Sequence, residues 1–371
     1  MRICILTHCF YPSKLRGGPT VSMTNMVKAI SDIGDVFVIT VHFDKDKRQY
    51  DSVQEGHQRL FDSDVCYLKD NSIKAFFEEL ESVDPDVIYI SSLFSWEYSL
   101  PGLVYGRSHK KRVILAPRGE LISSAIKQKG AQKRVFIALL KTFGLLKNLE
   151  LHVTSEQEKK DTRKYFTNEK IWMIKNLPTI YDSEVKPIRK VPGILRIMMI
   201  GRIHPIKNID VAINMMNGLN GDVTLDIYGN PEVQDYAAKC RELSMQTGQN
   251  ITVNFYGNIT HDRIQDVISE HHVLLSPTQS ENFGQAIVES LLNNRPVIIS
   301  DRTPWRGLEN AHAGYDLSLD SLSSFQTALQ EMIEMNDTVF HQHCLNAGKY
   351  IHERLKVEEI VDEYKGMLLG E

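Results

Sequence analysis

Short runs of β-branched and other apolar residues alternate with stretches of helical spacing along the whole chain, the pattern of parallel sheets covered by helices. In the first half the predicted strands are 2–6, 36–40, 87–90, 112–116 and 151–154, with helices predicted over 20–33 and 72–81. A second series of strands is predicted at 195–200, 224–228, 251–256, 273–276 and 296–300. Each run is continuously apolar rather than alternating, as strands buried on both faces should be. Between the two series lies a stretch with three prolines (Pro178, Pro187 and Pro192), mixed charge and little periodicity. The pattern thus predicts an α/β chain of two Rossmann-like domains with parallel sheets, 1–178 and 193–345, joined by a hinge at 179–192. Facing domains of this kind hold ligands in a central cleft, at the C-terminal ends of their strands. A polar-rich helical segment begins at Asp337, and its part 346–371 is expected to return toward the first domain.

Length agrees with that division, because 371 residues exceed a comfortable single core. A net charge of −4 offers no whole-molecule attraction for nucleic acid, and no nucleic-acid-binding motif is present. The opening MRICILTHCFYP lacks the long apolar run and cleavage site of a signal peptide, and no run is long enough to span a bilayer. Five cysteines without CxxC spacing fit reduced thiols, so a cytoplasmic chain is expected.

Three motifs carry candidate chemistry. The first predicted strand leads into HCFYPSKLRGGPT, where Gly17 and Gly18 precede a helix. Paired glycines let backbone N–H groups approach an anion, and the helix dipole favours it there; a plain tight turn would use the same residues. In GRIHPIKN (201–208), Arg202 and Lys207 follow an apolar strand and suit phosphate oxygens, although a solvated basic turn has the same composition. In SENFGQAIVES (280–290), Glu281 sits on a loop, Asn282 to Gln285 open a helix, and Glu289 lies one turn inside it. Carboxylates accept well from sugar hydroxyls, so the two acids can hold opposite ends of a nucleotide sugar. Against this, Glu289 on a solvated face and Glu281 as a dipole-stabilised acid are the plain structural alternatives.

Taken in order, GG-P, GRIxPxKN and E-x7-E resemble the retaining family-four glycosyltransferases of GT-B fold. LAPRGELISSAIKQKGAQKR, LHVTSEQEKKD (with Thr154, Ser155 and Glu158) and TPWRGLENAHAGYDLSL are similar to the branch that builds bacterial surface polysaccharides such as capsule or O-antigen. The resemblance implies metal-independent, cofactor-free transfer of a hexosyl or N-acetylhexosaminyl group with retention, a UDP-sugar being the expected donor. It assigns the diphosphate to Gly17, Gly18, Arg202 and Lys207, the donor sugar to Glu281, and the ribose to Glu289. Backbone amides of Asn282, Phe283 and Gly284 would line sugar and phosphate. Where many members carry a histidine in a PHG-like sequence, this chain has Arg118 in PRGE. Arginine cannot serve as a base, but it can stabilise the leaving phosphate or orient the acceptor, and Glu120 can supply a carboxylate. A salt-bridged loop is the structural alternative for both.

The implied acceptor is a glycan or polyprenyl-linked glycan. Residues 121–149 contain no acid but six basic residues, Lys127, Lys129, Lys133, Arg134, Lys141 and Lys147, among apolar ones. Such a stretch is either a helix with a solvated basic face or a peripheral contact with the inner face of the membrane. Asp62–Asp64, Asp84–Asp86, His271–His272 and His341–His343 imitate metal motifs without the partners one needs. Trp305 is expected to stiffen its loop, and His8 and Tyr11 to face the acceptor. A nucleotide-sugar epimerase of similar fold and a non-catalytic nucleotide-sugar-binding module are the alternative functions.

Overall fold

The computed structural model describes residues 1–121, 130–167, 169–179, 188–260 and 263–371. They gather into two compact units, Met1–Leu177 with Val357–Glu371, and Pro178–Lys356.

The first unit is built on eight strands: β1 (Arg2–Leu6), β2 (Asp35–Val41), β3 (Gly56–Leu60), β4 (Ser63–Leu68), β5 (Val87–Ile90), β6 (Arg112–Leu115), β7 (Glu150–Val153) and β8 (Lys170–Met173). Their order is β3-β4-β2-β1-β5-β6-β7-β8, with β3 antiparallel to β4 and the other neighbours parallel. The order reverses between β1 and β5. Helices α1 (Gly18–Ile30), α2 (Ile73–Val83), α3 (Trp96–Ser108), α4 (Gly130–Thr142) and α5 (Glu156–Arg163) connect the strands. Cys4, Leu6, Ile88, Ile90, Leu115 and Leu151 are fully buried in the core, each large aliphatic side chain contributing roughly 1.5–3 kcal/mol by leaving water.

In the second unit β9 (Ile194–Ile200), β10 (Asp222–Tyr228), β11 (Ile251–Gly257), β12 (Val273–Ser276), β13 (Val297–Ser300) and β14 (Gly314–Leu317) are all parallel, in the order β11-β10-β9-β12-β13-β14. Numbered within the unit this is 3-2-1-4-5-6, the doubly wound order whose switch point, here between β9 and β12, is where ligands bind. Its helices are α6 (Ile209–Met216), α7 (Gln234–Ser244), α8 (Ile264–Glu270), α9 (Gln285–Leu292), α10 (Leu322–Glu334) and α11 (Asp337–Leu355).

Several expectations need correction. The segment 346–371 is not one element: α11 stops where Lys356 turns left-handed at φ 42°, and α12 (Val357–Leu369) belongs to the first unit. There Arg112 donates to the carbonyls of Leu368 and Met367, and Lys365 pairs with Asp32 at 2.6 Å. Continuous burial also fails at a sheet edge, where β11 keeps one side open and Tyr256 is exposed. Strands β3, β4, β8 and β14 were not among those predicted, although VCYL in β4 and IWM in β8 are apolar. The hinge expected at 179–192 falls mostly on 180–187, outside the described residues.

Candidate functional site

At the switch point of the second unit, two loops are laced together. Leaving β9, Gly201 takes φ 153°, and a Cβ on Gly229, after β10, would sit 1.8 Å from the Gly201 carbonyl oxygen. Only glycine permits that approach. His204 then accepts from the Ile206 amide to start the short turn Pro205–Lys207, which ends at Asn208 in the left-handed region. From that conformation the Asn208 side chain donates to Pro277 O (2.9 Å) and accepts from Gln279 Nε2 (2.8 Å). Thr278 Oγ1 and the Gln279 amide both donate to Ile206 O. The loop after β9 is therefore held against the loop after β12 by these hydrogen bonds. Asn208, Thr278 and Gln279 were not singled out in the sequence; their polarity alone does not distinguish a loop brace from a solvated turn.

That brace sets Lys207 Nζ 2.5 Å from Glu281 Oε2, each side chain about one-fifth exposed. A small pocket lined by Gly201, Lys207, Leu275 and Ser276 opens beside them. The Glu281 amide donates to Arg302 O, and Trp305 Nε1 donates to Phe283 O while its ring meets Phe283 edge-on. Trp305 is thus buried and stiffens the loop, as its sequence context predicts. Gly284, at φ 76°, caps the start of α9, and the first turn of that helix holds no acid. Its N-terminus is consequently electropositive.

Glu289 is not on a solvated face. It is 1% exposed, with Gln285 Nε2 donating to it at 3.2 Å, and burial pushes its carboxyl up to about 8. Arg202 is not gathered with Lys207: it is largely exposed, ion-paired with Glu232, and does not line the pocket.

In the first unit, Gly17 (φ 63°) is the N-cap of α1 and Gly18 its first residue, with open space where a Gly17 side chain would project. The loop before it is pinned by the buried Asp44, which accepts from Ser13 Oγ, Lys14 N and Leu15 N at 2.8–3.1 Å. His8 does not face solvent; it packs edge-on against Tyr98, and burial lowers its imidazole to about 3, while Tyr11 is partly exposed.

Arg118 and Glu120 serve different partners and do not form the salt-bridged loop. Arg118, left-handed at φ 52°, donates from Nη1 to Asn176 Oδ1 (2.6 Å) and Ser22 Oγ (3.1 Å), and from Nη2 to Tyr89 Oη (2.9 Å). Tyr89 in turn bonds His152, whose imidazole burial and Arg118 together lower to about 3. Glu120 accepts from Ser92 Oγ and from the Leu93 and Phe94 amides; burial raises its carboxyl, and those donors oppose the rise. Glu158 is fully buried and accepts from the Gly119 amide, the Thr154 amide and Thr154 Oγ1, while Ser155 caps α5. PRGE and LHVTSEQEKKD thus interlock as one braced structure behind β6 and β7.

Of the metal-like fragments, Asp62 lies in the β3–β4 turn, Asp84 pairs with Arg2 and Lys111, and His271 bonds Asp226. Four cysteines are buried, Cys9 is partly so, and all five are free.

Residues 183–339 match the family described as "Glycosyl transferases group 1". A curated poly(ribitol-phosphate) alpha-N-acetylglucosaminyltransferase of Staphylococcus aureus (strain COL) is 23% identical over 218 residues, covering 57% of this chain and 42% of that protein, so the match spans less than half of the relative's length. Among solved structures, sucrose-phosphate synthase from Thermosynechococcus elongatus matches with a TM-score of 0.73 at 16% identity, covering 100% of both chains. Anabaena HepE in complex with UDP and glucose matches with the same score at 15% identity, again over 100% of both. At such identities the likeness shows the fold, which is GT-B. Residues 183–339, in the second unit of this chain, are thus similar to the glycosyl transferases group 1, a match that spans less than half of the chain.

Proposed function

We propose that the chain transfers a hexosyl or N-acetylhexosaminyl group from a UDP-sugar to a glycan or polyprenyl-linked glycan acceptor, with retention, in surface polysaccharide synthesis. The observation that carries this reading is the Lys207–Glu281 pair at the β9–β12 switch point, beside an electropositive helix start. A cation for phosphate and a carboxylate for sugar hydroxyls stand side by side there, each neutralising the other until a donor separates them. Lys207 would take the diphosphate and Glu281 the sugar, with the amides from Asn282 to Gly284 completing the cradle. The ribose falls to Glu289, whose carboxyl can both donate and accept while protonated. Arg202 would have to leave Glu232 to reach the phosphates. In the first unit the α1 N-terminus at Gly17–Gly18 offers a further anion-binding element.

In the reaction proposed, the acceptor oxygen bonds to the anomeric carbon on the face from which the diphosphate departs, and the leaving phosphate oxygen takes the acceptor proton. No covalent nucleophile is required. Arg118 and Glu120 act here by holding the loop after β6 in place rather than by touching the reacting atoms. The similar proteins support the reading, one being an alpha-N-acetylglucosaminyltransferase and another a protein that binds UDP and glucose.

Reversible contact with an anionic membrane, on its cytoplasmic face, belongs to the same proposal. Helix α4 leaves Val135, Leu139 and the following Phe143 exposed at four-residue spacing, with Arg134 and Lys141 exposed among them. Lys127 and Lys129 lie outside the described residues. Among those described, no helix is long and apolar enough to cross a membrane.

The test is a panel of UDP-, GDP-, ADP- and TDP-sugars, following nucleotide release with and without a lipid-linked glycan acceptor. Acceptor-dependent release from one donor is the expected result. Donor binding without turnover under any acceptor would favour a binding module, and free epimerised sugar would favour an epimerase.

A further inference from the structure

In the first unit, β3 and β4 pair so that His57 lies directly opposite Cys66, and α2 brings Glu79 to the same patch. One ligand atom from each of the three lies within 4.8 Å of the others. His57 Nδ1 is 2.8 Å from Asp64 Oδ1. An ionised carboxylate only accepts, so Nδ1 carries the proton and Nε2 presents its lone pair. That lone pair meets Glu79 Oε1 at 3.0 Å, and Oε1 is buried without a hydrogen-bond partner. Two acceptors held face to face call for a positive charge between them, either a second proton on the imidazole or a metal ion.

The buried thiol favours the metal, because thiolate, imidazole and carboxylate together are a ligand set for zinc-like divalent ions. We propose that His57, Cys66 and Glu79 bind one zinc-class cation, with the fourth position open to water on the exposed His57 side and Asp64 orienting the imidazole from outside. The Asp64–His57 bond is the outer-shell carboxylate contact typical of metal-bound histidine. Binding replaces the thiol proton: Cys66–SH and the cation give the Cys66–sulfur–metal bond and a released proton. The ion would tie the hairpin at the sheet edge to α2, independently of any sugar transfer.

The test uses the full chain stripped with a chelator and then titrated with Co²⁺, followed by Zn²⁺ competition. One cobalt per chain with a sulfur-to-cobalt charge-transfer band, displaced by zinc, is expected. Cys66→Ser should abolish the band, and Asp64→Asn should keep it while weakening affinity about 10–100-fold. Because Cys66 is buried and its variant can misfold, His57→Gln at the exposed edge gives a second reading: zinc should raise Tm in the unaltered chain and not in this variant. No charge-transfer band, equal cobalt affinity in His57→Gln, or an equal zinc-induced Tm shift would overturn the site and leave a protonated His57 bridging two carboxylates.

Discussion

Glu289 shows how burial converts a side chain's role. On an exposed helix face it would be ionised at neutral pH; buried, its carboxyl is pushed up to about 8. The folded state then holds the proton more tightly than the unfolded chain, whose value is near 4.5. Stability from this group is therefore full below about pH 4.5 and declines as pH rises toward 8, by at most about 1.4 kcal/mol per unit. Urea unfolding across this range should show that decline in the unaltered protein and a flatter profile in Glu289→Gln; parallel profiles would refute it. Gly284 makes a second, steric prediction. A Cβ there would lie 2.9 Å from Ile287 Cδ1 and 3.2 Å from Glu281 Cγ, in a conformation only glycine adopts easily. Gly284→Ala should cost about 1–3 kcal/mol of stability and lower turnover more than Tm suggests, because it displaces Glu281. Turnover equal to the unaltered protein would show that Glu281 need not be held there.

Among the elements, the strands feeding the candidate site were the most legible. The runs after which Gly201 and Glu281 stand are apolar but for one residue each, Arg196 in β9 and Ser276 in β12, because both faces of a central parallel strand are covered. The β3–β4 hairpin was not legible. GHQRL carries no apolar periodicity, and its turn uses Phe61 and Asp62 at φ 53° and 56° where Asn-Gly is the usual signal. Within the site, Lys207, Glu281 and Glu289 were named from their motifs, but the burial of Glu289 and the diversion of Arg202 to Glu232 depend on packing that a motif does not encode. The brace behind β6 was equally hidden, since PRGE and TSEQE are 34 or more residues apart in the chain and meet through the Gly119–Glu158 bond. Replacing Arg118 with Met should take one partner each from Asn176 Oδ1, Ser22 Oγ and Tyr89 Oη in a buried network and cost about 2–4 kcal/mol. If Arg118→Met instead unfolds at the same denaturant concentration but loses turnover, the residue acts on substrate and the bracing role is wrong. Asp44→Ala should likewise free the loop before Gly17, read as faster amide exchange at Lys14 and Leu15; unchanged exchange would place the restraint elsewhere.

At the scale of the molecule, two separately cored units divide the work that the proposed function needs. The second supplies a doubly wound sheet with its cation–carboxylate pair at the switch point, and the first supplies a helix start and a braced loop after β6. The most direct measurement is calorimetric titration of UDP and of the cognate UDP-sugar into the unaltered chain, Lys207→Met and Glu281→Gln, with turnover assayed in parallel. The account predicts that Lys207→Met loses affinity for UDP itself, by about tenfold or more for a charge-assisted bond of roughly 1.5–3 kcal/mol. It predicts that Glu281→Gln keeps UDP affinity but loses both the added affinity of the sugar and turnover. Identical UDP and UDP-sugar affinities in all three proteins would contradict the donor site at the β9–β12 switch point.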